Sequence, residues 1–294
     1  MDISPKSYGS DEDLFFFGQR FVALACRIFG PEIVDPMGSY FAASGFVLSI
    51  YGHWFLITAG HVLADIEDAK NRGYTFTNWQ LDDTFALKRK RPVYVDGPGA
   101  PETIPFDFEG QPKISYFNRD EGTDFAFIYL GSYYERCLKA NDVIAFEEEH
   151  WTLDIEGASH RMELVGIPAD QTRDLKRGGL VQKTLVTLKL HRIEDDSLLD
   201  NRYPHLLQGH IPEIPTDVLP TLERIHGMSG GPIIGFWEQP DGSEKIRILA
   251  IQSQWNKHTQ TIIGSPIGQA ASGLKQMIDE WVAGNEEGES SSER

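Results

Sequence analysis

Ser44-Gly45-Phe46-Val47-Leu48-Ser49-Ile50-Tyr51-Gly52-His53-Trp54-Phe55-Leu56-Ile57-Thr58 reads as two apolar runs, rich in β-branched and aromatic residues, on either side of a glycine turn. Two such runs around a short turn predict a β-hairpin. Its return strand delivers Ala59-Gly60-His61-Val62-Leu63 at one end, and residues 64–70 are long enough for one or two helical turns. The same strand grammar recurs at 124–130, 162–168, 181–191, 233–237, 246–255 and 261–265. Asp241-Gly242 is a further hairpin turn.

The bulk composition agrees with a β-rich chain. Its 294 residues are 40% hydrophobic and 11% aromatic, enough core for one large or two modest domains. Twenty-eight glycines and 16 prolines imply many turns, which suits strands better than a helical bundle. Leu14, Phe17, Phe21, Leu24 and Ile28 recur at helical spacing, while Val22, Leu24, Cys26 and Ile28 alternate. A short helix to Arg20 followed by a strand to Ile28 satisfies both patterns. Residues 72–111 read as short strands and loops, 140–149 as an acidic crossing, and 195–220 as loop. Leu274, Met277, Ile278, Trp281 and Val282 share one helical face, and Gly284 caps that helix. The sequence thus divides into an N-terminal extension and first strand (1–30), a β unit (31–140), a second β unit (141–271), a helix (272–284) and a disordered polar tail (285–294).

A formal net charge of -17 repels a phosphate backbone, so nucleic acid is not an expected partner. Lys88-Arg89-Lys90-Arg91 is the one basic run, and a solvated hairpin face accounts for it better than a binding patch. The two cysteines, Cys26 and Cys137, have apolar neighbours and read as free thiols in a reducing compartment. Met1-Asp2-Ile3-Ser4-Pro5 has neither the basic start nor the apolar run of a signal peptide, and nothing approaches the ~18 apolar residues of a membrane span. The expectation is a soluble cytoplasmic protein without a membrane partner.

The chemistry gathers at three strand edges. In His226-Gly227-Met228-Ser229-Gly230-Gly231-Pro232 a small nucleophile sits between glycines. Glycine permits φ > 0 and close packing, so N–H groups can converge on a hollow fit for an oxyanion. Ser/Gly turns are common, so the turn gains meaning only from a base and an acid elsewhere. His61 closes the hairpin and Asp124 opens an apolar strand; the order is His, Asp, Ser, with gaps of about 60 and about 100 residues. Imidazole can take the serine proton near neutrality and return it to a leaving amine. A buried carboxylate holds the ring in the required tautomer. Taken singly, any of the nine histidines is more often structural, Asp124 could simply open a strand, and Asp120 competes as the acid.

These segments resemble the trypsin-like serine peptidases, of the bacterial type without a zymogen switch. Thr58-Ala59-Gly60-His61-Val62 is similar to the family's Thr-Ala-Ala-His, Asp124-Phe125-Ala126-Phe127-Ile128 to its Asp-Ile-Ala-Leu, and Gly227-Met228-Ser229-Gly230-Gly231-Pro232 to its Gly-Asp-Ser-Gly-Gly-Pro. Leu249-Ala250-Ile251-Gln252-Ser253 is similar to the strand that pairs with substrate, and the likeness spans residues 44–282. The resemblance implies an all-β fold of two antiparallel β-barrels with the site between them, a C-terminal helix and a short N-terminal extension. It implies a serine endopeptidase working through an acyl-enzyme, with Ser229 as nucleophile, His61 as base then acid, Asp124 orienting, and the N–H groups of Gly227 and Ser229 as oxyanion hole.

The departures also carry meaning. Met228 stands where secreted members keep an Asp that pairs with a freed N-terminus, and the sequence shows no Ile-Val-Gly-Gly-like segment at its start, so activation of that kind is not expected. Restraint would then fall to a narrow substrate set, a regulatory protein partner or the N-terminal segment. The Phe15–Phe17 run could face such a partner, although a core role fits it better. Glu223, six before the serine, sits where the family often places the base of its specificity pocket, and a carboxylate there would favour Lys or Arg. Read alone, Glu223 is better taken as a solvated residue of a shifted loop, since loop lengths vary freely. His226, Gln252 and Ser253 complete the substrate-binding candidates.

One other motif match is rejected, and one other reading stays in view. Gly227-x-Ser229-x-Gly231 also fits the nucleophile elbow of α/β-hydrolases, but that fold needs a buried strand before the serine and a helix after it, where Pro220 and Pro232 stand. A non-catalytic or latent protease-fold module, reading an extended peptide or partner protein by strand addition, is the rival from another class. No His/Cys/Asp cluster has ligand spacing, so neither metal nor other cofactor is implied.

Overall fold

β-branched and aromatic residues on an alternating pattern favour extended chain, and the computed structural model folds accordingly. It describes residues 11–86, 104–151, 159–169, 172–174, 181–193, 196–211 and 225–292. The polar start at 1–10, the basic run at 88–91 and Glu223 lie outside these residues.

The first half contains α1 (Asp11–Gly18), β1 (Ala23–Phe29), β2 (Ser39–Ala43), β3 (Phe46–Ile50), β4 (His53–Thr58), α2 (Gly60–Asn71), β5 (Thr75–Asp82), β6 (Ile104–Pro105), β7 (Lys113–Asn118), β8 (Thr123–Tyr129) and α3 (Gly131–Ala140). The quoted stretch is the β3–β4 hairpin, with Ile50 opposite His53. Its two loop residues, Tyr51 and Gly52, have φ of 53° and 75°, the sign that matches a two-residue turn to strand twist. Two antiparallel sheets form, in the orders β2-β1-β5-β6 and β3-β4-β8-β7, and a Phe21–Phe46 bridge links them. Val22, Leu24, Val47, Leu56, Leu81, Ala126 and Ile128 fill the space they enclose.

The second half contains β9 (Arg161–Gly166), β10 (Arg173–Asp174), β11 (Val181–Gln182), β12 (Val186–Arg192), β13 (Leu207–His210), β14 (Pro232–Glu238), β15 (Glu244–Asn256), β16 (Thr261–Pro266) and α4 (Ile267–Ser292). Six of these strands close a barrel in the order β12-β13-β16-β15-β14-β9. Leu164, Val186, Leu188, Met228, Ile233, Ala250 and Ile262 pack its interior. A third apolar cluster is the seam between the halves. Phe17, Phe21, Phe46, Leu48 and Phe127 meet Val165, Ile167, Ile234, Phe236 and Ile251 there, with Ala271 and Leu274 of α4. Phe17 is 2% exposed, so the phenylalanine run serves the core.

β13, α3 and α4 differ from the sequence expectation. β13 lies inside 195–220, read as loop, because β12 and β16 supply pairing that its own residues do not advertise. α3 occupies a stretch the sequence reading left without a helix, and buries Leu138. α4 begins at Ile267 rather than 272, since Ile267, Ala271 and Leu274 share one buried face, and it continues to Ser292 across the tail expected to be disordered. Gly284 does not end it; an interior glycine costs a helix only about 1 kcal/mol.

A buried ion pair also crosses the seam. Lys183, ahead of β12, contacts Asp82 at the end of β5, and its Nζ donates to Tyr40 Oη at 3.1 Å. Tyr40 Oη donates to Asp82 Oδ2 at 3.2 Å, and Asp82 is fully buried. Removing one member of such a pair leaves the other charged and dry. Lys183→Met is therefore expected to destabilise the protein by about 3–5 kcal/mol, read as a lower urea midpoint, and adding Asp82→Asn should restore most of it. Equal midpoints for Lys183→Met and wild type would show the pair to be idle.

Candidate active site

The site is built where α2 starts. Ala59, at its N-cap, offers no side-chain acceptor, so the first N–H groups of the helix need one from elsewhere. Asp124 of β8 supplies it. Its Oδ1 accepts the His61 N–H at 2.8 Å and its Oδ2 lies 2.6 Å from His61 Nδ1. One carboxylate thus serves both the helix terminus and the ring. Accepting at Nδ1 places a proton there and leaves Nε2 with a free lone pair. The Asp124 side chain is 2% exposed and that of His61 21%. Behind them, the Asp124 N–H donates to Ser265 Oγ at 2.7 Å. Gly60 is required by space as well: a Cβ there would stand 2.8 Å from the Phe125 carbonyl oxygen. The Gly-for-Ala difference from the family motif is therefore a structural demand of this chain.

Burial works against a charged His61 ring. The hydrogen bond and charge of Asp124, helped by Asp65, outweigh it, and the ring titrates above its ordinary value.

The serine turn is pinned to the barrel. Gly230 N–H donates to the Gln252 carbonyl at 2.9 Å, and Gln252 N–H to that of Gly231 at 2.9 Å. Met228 N–H reaches Ile225 O at 3.1 Å and Gly231 N–H reaches Met228 O at 2.9 Å. The N–H groups of Gly227 and Ser229 have no partner among the described residues. Gly227 and Gly230 have φ of 92° and 90°, which only glycine holds without strain. A Cβ on Gly230 would stand 2.8 Å from Ala59 N, so the turn abuts the residue before α2. Ser229 is half-buried, and its hydroxyl makes no hydrogen bond to His61 or to any other described residue.

An open cleft of about 470 Å³ adjoins His61. Asp65, Phe117, Arg119 and Asp120 line it from the first half, and Arg202, Tyr203, Ser253 and Gln254 from the second. Tyr203 Oη donates to the Arg119 carbonyl at 2.8 Å and fastens the two sides. Asp120, the competing acid, is exposed here, away from the His61 ring contact that Asp124 makes. Ser253 faces the cleft, with its hydroxyl given to Ile263 O at 3.1 Å. Gln252 is not among the residues that line this cleft: it is 2% exposed, and its Oε1 has no partner among the described residues. His226 is exposed at the head of the serine turn. The supporting residues Ser44, Thr58, Ser265 and Tyr203 were not among the sequence candidates; each acts through a contact more than a dozen residues distant, which no local pattern marks.

Both cysteines are free, Cys26 buried and Cys137 half-buried. Among the described residues no group of His, Cys, Asp and Glu could hold a metal ion, and no helix is long and apolar enough to cross a membrane.

No family model matches the chain, and no curated protein is significantly similar to it. Solved structures are similar along most of its length. The protease Anisep from Arthrobacter nicotinovorans is 15% identical over 84% of this chain and 90% of its own, with a TM-score of 0.42. A scabies mite inactivated protease paralogue is 13% identical over 91% and 96%, with a TM-score of 0.49. The thermostable serine protease AL20 from an extremophilic microorganism is 14% identical over 88% and 95%, with a TM-score of 0.42. At these identities the likeness is to their β-rich fold alone.

Proposed function

We propose that this chain is a serine endopeptidase that hydrolyses peptide bonds of protein substrates through an acyl-enzyme. The observation that carries the proposal is the two-point grip of Asp124 on His61, at Nδ1 and at the backbone N–H. It leaves Nε2 as the ring's only proton acceptor. Ser229 attacks the scissile carbonyl while His61 takes its proton, and the unused N–H groups of Gly227 and Ser229 receive the oxyanion. His61 then protonates the leaving amine, and water, deprotonated by the same ring, releases the acyl group. Asp124 stabilises the imidazolium formed in each half-reaction. No cofactor enters these steps. Two free cysteines fit a reducing compartment such as the cytoplasm.

One observation favours the other reading, a latent or non-catalytic module that holds an extended peptide or partner protein: the Ser229 hydroxyl is not bonded to His61. Catalytic hydrogen bonds are often long without substrate and tighten in the complex, which keeps the enzyme reading ahead. A fluorophosphonate probe separates the two. The expected result is a covalent adduct on Ser229 of the folded protein, absent from Ser229→Ala; folded protein that takes no probe would overturn the peptidase proposal.

The raised pKa of His61 fixes the direction of the pH dependence. Only the neutral ring accepts a proton, so kcat/KM is expected to fall on acidification through an apparent pKa above 6.5. Stability runs the opposite way: a pKa raised by folding stabilises the fold below the unfolded value, and that contribution is lost as pH rises through the folded one. An acid limb below 6.5 would contradict the net raising of the His61 pKa by Asp124, and a profile with no acid limb would contradict the assignment of His61 as base.

A further inference from the structure

We propose that Ser44, from the first half, is a positioning residue that locks the serine turn of the second half in its donor-forward orientation. The role rests on the reading of Gly227 and Ser229 as oxyanion donors. A trans peptide points its C=O and N–H in opposite directions. The His226 carbonyl accepts the Ala169 N–H at 2.6 Å, and the Met228 carbonyl accepts that of Gly231 at 2.9 Å. The N–H groups of Gly227 and Ser229 are thereby turned away from those bonds. Between them lies the Gly227–Met228 peptide, held at its N–H by Ile225 O and at its carbonyl by Ser44 Oγ, which donates at 2.6 Å.

Ser44 is built for this task. It is fully buried, in the link between β2 and β3. Its hydroxyl gives its one proton to Gly227 O and accepts the Ile167 N–H at 2.9 Å, joining two loops of the second half. Its own carbonyl accepts Thr58 Oγ1 at 2.9 Å, two residues before α2. Gly227 is the hinge of the turn: it has no Cβ, its φ is 92°, and a Cβ there would stand 2.7 Å from Ile167 O. Met228 is fully buried among apolar side chains and carries no charge, so an ion pair does not set the turn from that position. The Ser44 hydroxyl is the one side-chain donor to the turn among the described residues.

The test compares Ser44→Ala with Ser44→Thr on a peptide ester. Ser44→Ala is expected to lower kcat about 10²-fold, the low end for loss of one oxyanion donor, with KM within threefold of wild type. Ser44→Thr keeps the hydroxyl and should recover most of the rate. An unchanged kcat in folded Ser44→Ala would overturn the role. Should Ser44→Ala fail to fold, Ser44→Cys, a weaker donor of similar size, is expected to show the same kcat loss in smaller degree, and a wild-type kcat there overturns it. If wild-type protein neither hydrolyses the ester nor takes a fluorophosphonate, the peptidase reading has failed, and amide exchange then decides Ser44 by itself. Protection of the Met228 N–H should drop at least tenfold in Ser44→Ala while that of Gly231 persists; unchanged Met228 protection overturns the proposal.

Discussion

Ser229→Ala is expected to lower kcat/KM on a peptide substrate by about 10⁶-fold while leaving the thermal midpoint almost unmoved. The two halves of that expectation have different causes. The hydroxyl is the only group at the turn that can bond covalently to the acyl carbon, so its loss removes the two-step route altogether. The same hydroxyl makes no hydrogen bond to any described residue and is half-buried, so the fold loses little with it. Hydrolysis followed by stopped assays, with calorimetry on the same preparations, checks both. A variant that retained more than a hundredth of wild-type kcat/KM would remove Ser229 from the mechanism.

The second large effect is expected from Asp124→Asn: about 10⁴-fold in kcat/KM. An amide at 124 can still accept the His61 N–H through its oxygen, which keeps the start of α2 in place. Its NH₂ then faces His61 Nδ1 and forces that nitrogen to accept. The ring proton moves to Nε2, and the nitrogen that should take the serine proton is occupied. The pH profile should move as well. The carboxylate is what raises the His61 pKa against burial, so its removal leaves burial in charge and carries the acid limb to lower pH. Rate and limb position in Asp124→Asn are read from one pH series, and a limb that moves upward or stays fixed would break the link between Asp124 and the ring.

Much of the fold was legible because it is written locally. The β3–β4 hairpin carries its strands and its positive-φ turn within residues 46–58, and the serine turn declares itself through its glycines. β13 was not legible: Leu207-Gln208-Gly209-His210 holds one apolar side chain, and only pairing with β12 and β16 makes it a strand. α3 could have been read from Tyr134, Cys137 and Leu138, which share a face packed on the core of the first half. At the site, the order His61, Asp124, Ser229 was visible along the chain. The reach of Ser44 across 183 positions to Gly227, and of Asp124 across 141 to Ser265, was not, because nothing near either end marks its partner. Gln252, expected at a pocket mouth, is 2% exposed, and its backbone holds the serine turn through bonds to Gly230 and Gly231 that no local pattern announces.

The double duty of the Asp124 carboxylate has a consequence for how such a chain would age. A descendant released from hydrolysis would still need an acceptor at the start of its second helix, so drift would spare the acid whatever side chain stood at 61. The serine, which nothing in the scaffold leans on, would be the first to go. An intact acid at 124 is therefore a record of architecture, whereas the ring at 61 and the hydroxyl at 229 report whether the chemistry is still under selection.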